Sequence, residues 1–108
     1  MKTRPALALG AAALLTAVSS GVQADGDARQ GRYEAQTCLG CHGVDGYTNV
    51  YPSYHVPKVG GQNPDYIVSA LKAYKQGKRK HATMQAQARS LTEQQMKDIA
   101  AYFASIER

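Results

Sequence analysis

The chain has no tryptophan, a single phenylalanine (Phe103) and only two cysteines in 108 residues. Its mean hydropathy is negative. Each shortage excludes something. Large aromatic side chains supply much of the burial in a small core, so a core built without Trp and with one Phe is expected to be marginal. Cys38 and Cys41 are too near one another to staple distant segments, so a disulfide scaffold is excluded. No segment alternates convincingly between apolar and polar residues, which leaves no evident strand and no evident sheet. No internal repeat and no low-complexity tract is present. The net charge of +5 is mild, and Lys2 and Arg4 carry part of it. That is too little, and too dispersed, for a nucleic-acid surface.

What is present begins with an export pattern. Lys2 and Arg4 precede the apolar run Ala6 to Val18, and the segment Val22-Gln23-Ala24 supplies a small-x-small cleavage site. The run falls short of the roughly 20 apolar residues that span a bilayer, so a cleaved secretory signal over residues 1–24 is expected, with no stable membrane span. The working domain is then residues 25–108, exported to the periplasm. A domain of that size buries a modest fraction of its surface and is marginal without help.

Two helices announce themselves. Asn63 suits an N-cap, Pro64 a first helical position and Asp65 the positive end of the dipole. Ile67, Ala70, Leu71 and Tyr74 then share one face, and Gly77 is a natural stop. Further on, Thr92 and Gln95 form a capping box, with Leu91 and Met96 as its hydrophobic staple. The stripe of this last helix is Met96, Ile99, Phe103 and Ile106, with Tyr102 alongside. A shorter helix is expected over Asp27 to Gln36. The stretch from Val44 to Gln62, rich in Gly, Pro, Asn, Ser and Tyr, reads as a long loop. The fold class is therefore all-α: three or four short helices and long loops, which would pack poorly around nothing.

The chemistry sits in "TCLGCHG", Thr37 to Gly43. A redox Cys-x-x-Cys expects a βαβ setting, and no sheet is offered. A structural zinc site expects four ligands in two separated pairs; here Cys38, Cys41 and His42 crowd together, and a fourth would have to come from His55 or His81. Covalent haem attachment uses every residue in place: Cys38 and Cys41 each add across a vinyl group, and His42 becomes an axial iron ligand. Haem would also fill the missing core.

On these residues the chain resembles the small bacterial class I c-type cytochromes, and is most similar to one half of the dihaem periplasmic cytochromes c. The resemblance rests on "CLGCHGVDG" at 38–46, "VPKVGGQ" at 56–62, "YIVSALKAYKQGKR" at 66–79, Met84, and "LTEQQMKDIAAYFAS" at 91–105. It implies the cytochrome c fold around one covalently bound haem c, with the first and last helices crossing near Gly31 and Tyr102. It also implies that the Pro57 carbonyl accepts the ring N–H of the axial His42.

For the second axial ligand the candidates are Met84, Met96, His55 and His81. Met96 has work enough in the core. Met84 stands alone in the polar stretch "KRKHATMQAQARS", and the resemblance places the family's axial methionine there; His81 would instead give a bis-histidine iron. With His42 and Met84 both bound, no position is open for substrate. A periplasmic one-electron carrier of high potential is expected, not an enzyme. The alternatives are the cytochrome subunit of a larger periplasmic oxidoreductase, for example in sulfur-compound oxidation, and a peroxidase or gas sensor with a labile methionine. Lys72, Lys75, Lys78, Arg79 and Lys80 are either a solvated helix end or a docking face for redox partners with an acidic surface.

Overall fold

The computed structural model describes residues 1–6, 10 and 26–107. Most of the expected leader, with its cleavage site after Ala24, lies outside the described residues. The elements in order are α1 (Ala28–Glu34), α2 (Gln36–His42), β1 (Thr48–Val50), β2 (Ser53–His55), α3 (Pro64–Lys75), α4 (Ala82–Arg89) and α5 (Glu93–Ser105). Helix α5 is the spine: α1 crosses it and α3 packs along it, while α4 packs on α3. Among the described residues no helix is long and apolar enough to cross a membrane.

Local chemistry explains where the helices start. Asn63 Oδ1 accepts the Asp65 and Tyr66 N–H groups at 2.8 and 3.2 Å, and Pro64 opens α3. The capping box of α5 is complete: Thr92 Oγ1 accepts the Gln95 N–H at 3.1 Å and Gln95 Oε1 accepts the Thr92 N–H at 2.9 Å. Together these satisfy N–H groups that a helix start leaves without partners.

The crossing of α1 and α5 is a backbone-to-backbone contact. A Cβ on Gly31 would lie 1.8 Å from the Asp98 carbonyl oxygen. Only a residue without a side chain permits that approach. The resemblance implied a crossing near Gly31 and Tyr102; the backbone atoms that meet Gly31 are those of Asp98 and Ile99, about one turn before Tyr102. Asp98, buried despite its charge, accepts the Asp27 N–H at 2.7 Å and the Gln94 amide at 2.9 Å. That double acceptance ties the N-terminus of α1 to α5 and compensates the carboxylate for lost water.

Three expectations are corrected. The helix expected over Asp27–Gln36 ends at Glu34, and a second helix contains both cysteines and His42. The junction is Ala35, fully buried, whose carbonyl accepts the Cys38 and Leu39 N–H groups at 2.9 and 3.1 Å. The loop from Val44 to Gln62 contains an antiparallel hairpin pairing Thr48 with His55, Asn49 with Tyr54 and Val50 with Ser53. Three-residue strands are too short to show alternation, and the turn is closed by the Asn49 amide donating to the Pro52 carbonyl at 2.6 Å. Finally, the polar stretch around Met84 is helical. Met84 and Ala88 share one face of α4, and Ala88 is fully buried.

The buried apolar set is Ala35, Ile67, Leu71, Ala88, Met96, Ile99, Ala100 and Phe103. Three of the eight are alanines, so few side chains contribute the roughly 1.5–3 kcal/mol expected from burying a large apolar group. Met96 lies within this set, as its place in the stripe requires.

Candidate functional site

Beside that thin core lies a cleft of about 430 Å³, within the size range of sites for small organic ligands. Every helix of the domain contributes to its wall. From α2 come Cys38, Cys41 and His42; from the hairpin, Tyr54 and His55; from α3, Ile67 and Leu71; from α4, Met84; from α5, Ile99 and Phe103. The last-named apolar residues belong to the core and the cleft at once.

Cys38 and Cys41 are one helical turn apart, so their side chains lie on neighbouring positions of one face. Both are free thiols and half-buried. Burial pushes the Cys38 thiol above its ordinary pKa, outweighing a hydrogen bond to Thr37 that lowers it. An uncharged, half-buried thiol is unlike the low-pKa nucleophile of a redox Cys-x-x-Cys. Among the described residues no three His, Cys, Asp or Glu side chains converge as a metal-ligand set.

His42 ends α2, and its Nδ1 lies 2.8 Å from the Pro57 carbonyl oxygen. A carbonyl only accepts, so Nδ1 carries a proton, and in the neutral ring the lone pair is left on Nε2. The Phe103 ring lies edge-on to the imidazole, with centroids 6.5 Å apart. The imidazole orientation is thus set from two sides, by a loop carbonyl and by the spine helix.

Met84 lies in the first turn of α4, half-buried against the core, and lines the same cleft as His42. The other candidates for its role sit differently. Met96 does not reach the cleft. His81 and His55 both line it: His81 Nδ1 accepts the Met84 N–H at 3.4 Å, which in a neutral ring leaves the proton on Nε2, and His55 Nδ1 lies 3.4 Å from Thr48 Oγ1.

The basic cluster is smaller than its sequence suggests. Lys72 pairs with Glu93 at 2.8 Å, and Lys75 Nζ donates to the Leu91 carbonyl. Arg79 lies over the Tyr74 ring at 4.8 Å. Lys78, Arg79 and Lys80 are exposed and, among the described residues, have no salt-bridge partner.

Several cleft residues escaped the sequence reading. Tyr54 and Thr83 line the wall next to Met84, their hydroxyls 3.2 Å apart. Glu34 lines it near Cys38, with a buried Oε2 that has no hydrogen-bond partner among the described residues. A helical spacing from Cys38 back to Glu34 was the only available signal for the last.

Comparisons with known proteins agree on one family. Residues 29–107 match the Cytochrome c family. Cytochrome c-554(548) of Halomonas halodenitrificans is 41% identical over 85 residues, covering 76% of this chain and 99% of that protein. Cytochrome c4 of Pseudomonas aeruginosa is 40% identical over 93 residues, covering 85% of this chain but 45% of that protein. The chain thus spans about half the length of its cytochrome c4 relatives. A cytochrome subunit of sulfide dehydrogenase from Chlorobaculum tepidum is 32% identical over 110 residues, covering 93% of this chain and 96% of that protein. The solved structure of Acidithiobacillus ferrooxidans cytochrome c4 superposes with a TM-score of 0.60 at 32% identity, covering 82% of this chain and 54% of that one.

Proposed function

The chain belongs to the cytochrome c family as a class I c-type cytochrome, an electron-transfer protein whose cofactor is covalently bound haem c, and on that premise we propose that it is a periplasmic one-electron carrier with His42 and Met84 as axial ligands. The observation that carries this reading is the Nδ1 contact of His42 with Pro57 at 2.8 Å, made in a cleft that Met84 also lines.

The residues fit the group. Cys38 and Cys41 supply the two sulfurs for thioether bonds, each S–H adding across one vinyl group. Pro57 holds His42 in the tautomer that leaves Nε2 free and raises its basicity as a ligand. Met84 offers a soft, uncharged thioether, which favours the reduced iron relative to a second histidine. Ile67, Leu71, Ile99 and Phe103 give the macrocycle apolar walls and exclude water. Bound there, haem supplies reversible one-electron chemistry at iron. Were His42 and Met84 both to bind the iron, no position would remain open for a substrate.

Export by residues 1–24 and a docking face at Lys78, Arg79 and Lys80 for an acidic redox partner complete the reading. The test is the absorption spectrum of the exported holoprotein. Haem that stays with the polypeptide after acid–acetone extraction, a low-spin ferric spectrum, and a far-red methionine–iron band that Met84→Ala abolishes are the expected results. An unchanged far-red band in Met84→Ala would overturn the ligand assignment, and two unmodified thiols by mass spectrometry would overturn the attachment.

A second reading is favoured by one relative: the sulfide dehydrogenase cytochrome subunit matches nearly end to end. In that case the chain works as the electron-accepting subunit of a periplasmic oxidoreductase. Stoichiometric co-purification of a second polypeptide with the tagged, exported protein separates this from a freely diffusing carrier.

A further inference from the structure

His81 is an uncommon choice for the N-cap of a helix, where Ser, Thr, Asp and Asn predominate. It nevertheless does a cap's work: Nδ1 accepts the Met84 N–H at 3.4 Å, and its own N–H donates to Gln85 Oε1 at 3.3 Å. What an imidazole adds is a ring face. Tyr54 of β2 meets it edge-on, with centroids 4.7 Å apart and ring planes at 86°. The same tyrosine reaches past His81, placing its hydroxyl 3.2 Å from Thr83 Oγ1. A hairpin residue therefore touches the first turn of α4 twice, once at the cap and once at the residue before Met84.

The rest of the hairpin shows that this contact is its inward anchor. Thr48, Val50, Tyr51 and Ser53 are exposed, as is His55 although it too lines the cleft; Asn49 and Tyr54 are half-buried, and of these two Tyr54 lines the cleft. The first turn of α4 has few other supports, since Ala82 and Thr83 are exposed as well. An asparagine at position 81 would cap the helix but would give Tyr54 nothing to pack against.

We propose that Tyr54, His81 and Thr83 form a clasp that positions Met84 on the iron, so that the hairpin sets how rarely the methionine lets go. This rests on Met84 being the axial ligand. Tyr54 and His81 are positioning residues: they act through the backbone and first turn of α4. Their removal raises the fraction of protein with Met84 detached, and an added ligand then binds iron more tightly in proportion to that fraction.

The experiment titrates the ferric holoprotein with imidazole, followed by loss of the far-red band, alongside thermal unfolding of each variant. For His81→Ala, which removes cap and ring together, the imidazole Kd should fall about tenfold. His81→Asn, which restores the cap but not the ring contact, should recover part of that change and leave about threefold. Tyr54→Phe keeps the ring contact and loses the hydroxyl, and should lower the Kd by about threefold to fivefold. A common fall in Kd that tracks global stability, with His81→Asn no better than His81→Ala, would overturn the clasp, as would wild-type affinity in both Tyr54→Phe and His81→Ala. Met84→Ala is the control for the premise: if it binds imidazole no more tightly than wild type, the ligand assignment fails and the clasp with it.

Discussion

Replacing Gly31 with alanine tests whether the α1–α5 crossing holds the domain together. The added Cβ would fall 1.8 Å from the Asp98 carbonyl oxygen and 2.4 Å from its carbon. Both are backbone atoms inside a helix, so no side chain can swing aside, and the helices must part by more than an ångström. Overpacking alone costs about 1–3 kcal/mol. Parting the helices also stretches the 2.7 Å bond from the Asp27 N–H to Asp98, a bond to a charged group worth about 1.5–3 kcal/mol. Together these suggest a loss of about 3–5 kcal/mol, a large share of a small domain's stability, or roughly 15–30 °C in Tm. Far-ultraviolet circular dichroism of the holoprotein during heating measures it. Gly40→Ala is the matched control: it too lies in a helix, but nothing is within 4 Å of its Cβ position, so Tm should hold or rise with the about 1 kcal/mol that alanine gains over glycine in a helix. Because α1 runs through buried Ala35 into α2, the Gly31 variant should also mature with less attached haem. A Tm within a few degrees of wild type for Gly31→Ala, or equal losses in both variants, would refute the crossing as described.

Asp98→Ala leaves the Asp27 N–H and the Gln94 amide without their acceptor and should cost about 2–3 kcal/mol, read as Tm; Asp98→Asn keeps an oxygen in place and should lose less than half of that. Glu93 is held below the usual carboxylate range by its hydrogen bond to Lys72, with the charges of Lys72 and Lys97 adding to it. A depressed carboxylate stabilises the fold above its unfolded pKa, and that contribution disappears as pH falls through the folded value. Glu93→Gln should therefore lower Tm slightly near neutrality and match wild type in acid, and equal differences at both pH values would contradict the pairing. Electron-transfer rates with an acidic partner should fall as salt rises. Charge reversal at Lys78 or Lys80 should lower them about tenfold at low ionic strength, while reversal at Lys72, already paired with Glu93, should act less; stopped-flow rates against ionic strength decide.

The parts of this fold that were readable were those fixed by local chemistry. Asn63-Pro64 and the Thr92–Gln95 box announce helices because their side chains satisfy their own neighbours, whatever else the chain does. The cluster of Cys38, Cys41 and His42 was readable for the same reason: its members are adjacent, and the structure sets all three on the cleft wall. Pro57, by contrast, was named through family resemblance, since nothing within "VPKVGG" says which carbonyl will meet an imidazole fifteen positions earlier. What stayed hidden depends on tertiary partners. Helix α4 has neither a usual cap nor a wide apolar stripe, and forms where His81 caps it and Ala88 finds the core. The hairpin's strands carry too few residues for a period, and Tyr54 reveals its role only when α4 lies beside it. In the basic cluster the charges are adjacent in sequence, but the partner of one of them is not: Lys72 pairs with Glu93, 21 positions away.

Core and site are not separable in this domain. Ile67, Leu71, Ile99 and Phe103 are at once half of the buried apolar set and four of the walls of the cleft. In a larger protein such residues would have apolar neighbours on every side. Here the chain offers no tryptophan and a single phenylalanine to face them, so the side turned toward the cleft gains its contacts from whatever fills it. A flat apolar macrocycle would complete that layer, and thioether bonds from α2 would make the completion permanent, removing the dissociation that a merely bound ligand allows. The same permanence serves the chemistry. His42 is held by Pro57 on a loop and by Phe103 on the spine, so a fixed iron environment and a stable fold are requirements on the same few residues. That is how a chain with no tryptophan and a single phenylalanine can still build an electron carrier: the haem that would complete its core is attached after synthesis instead of being encoded.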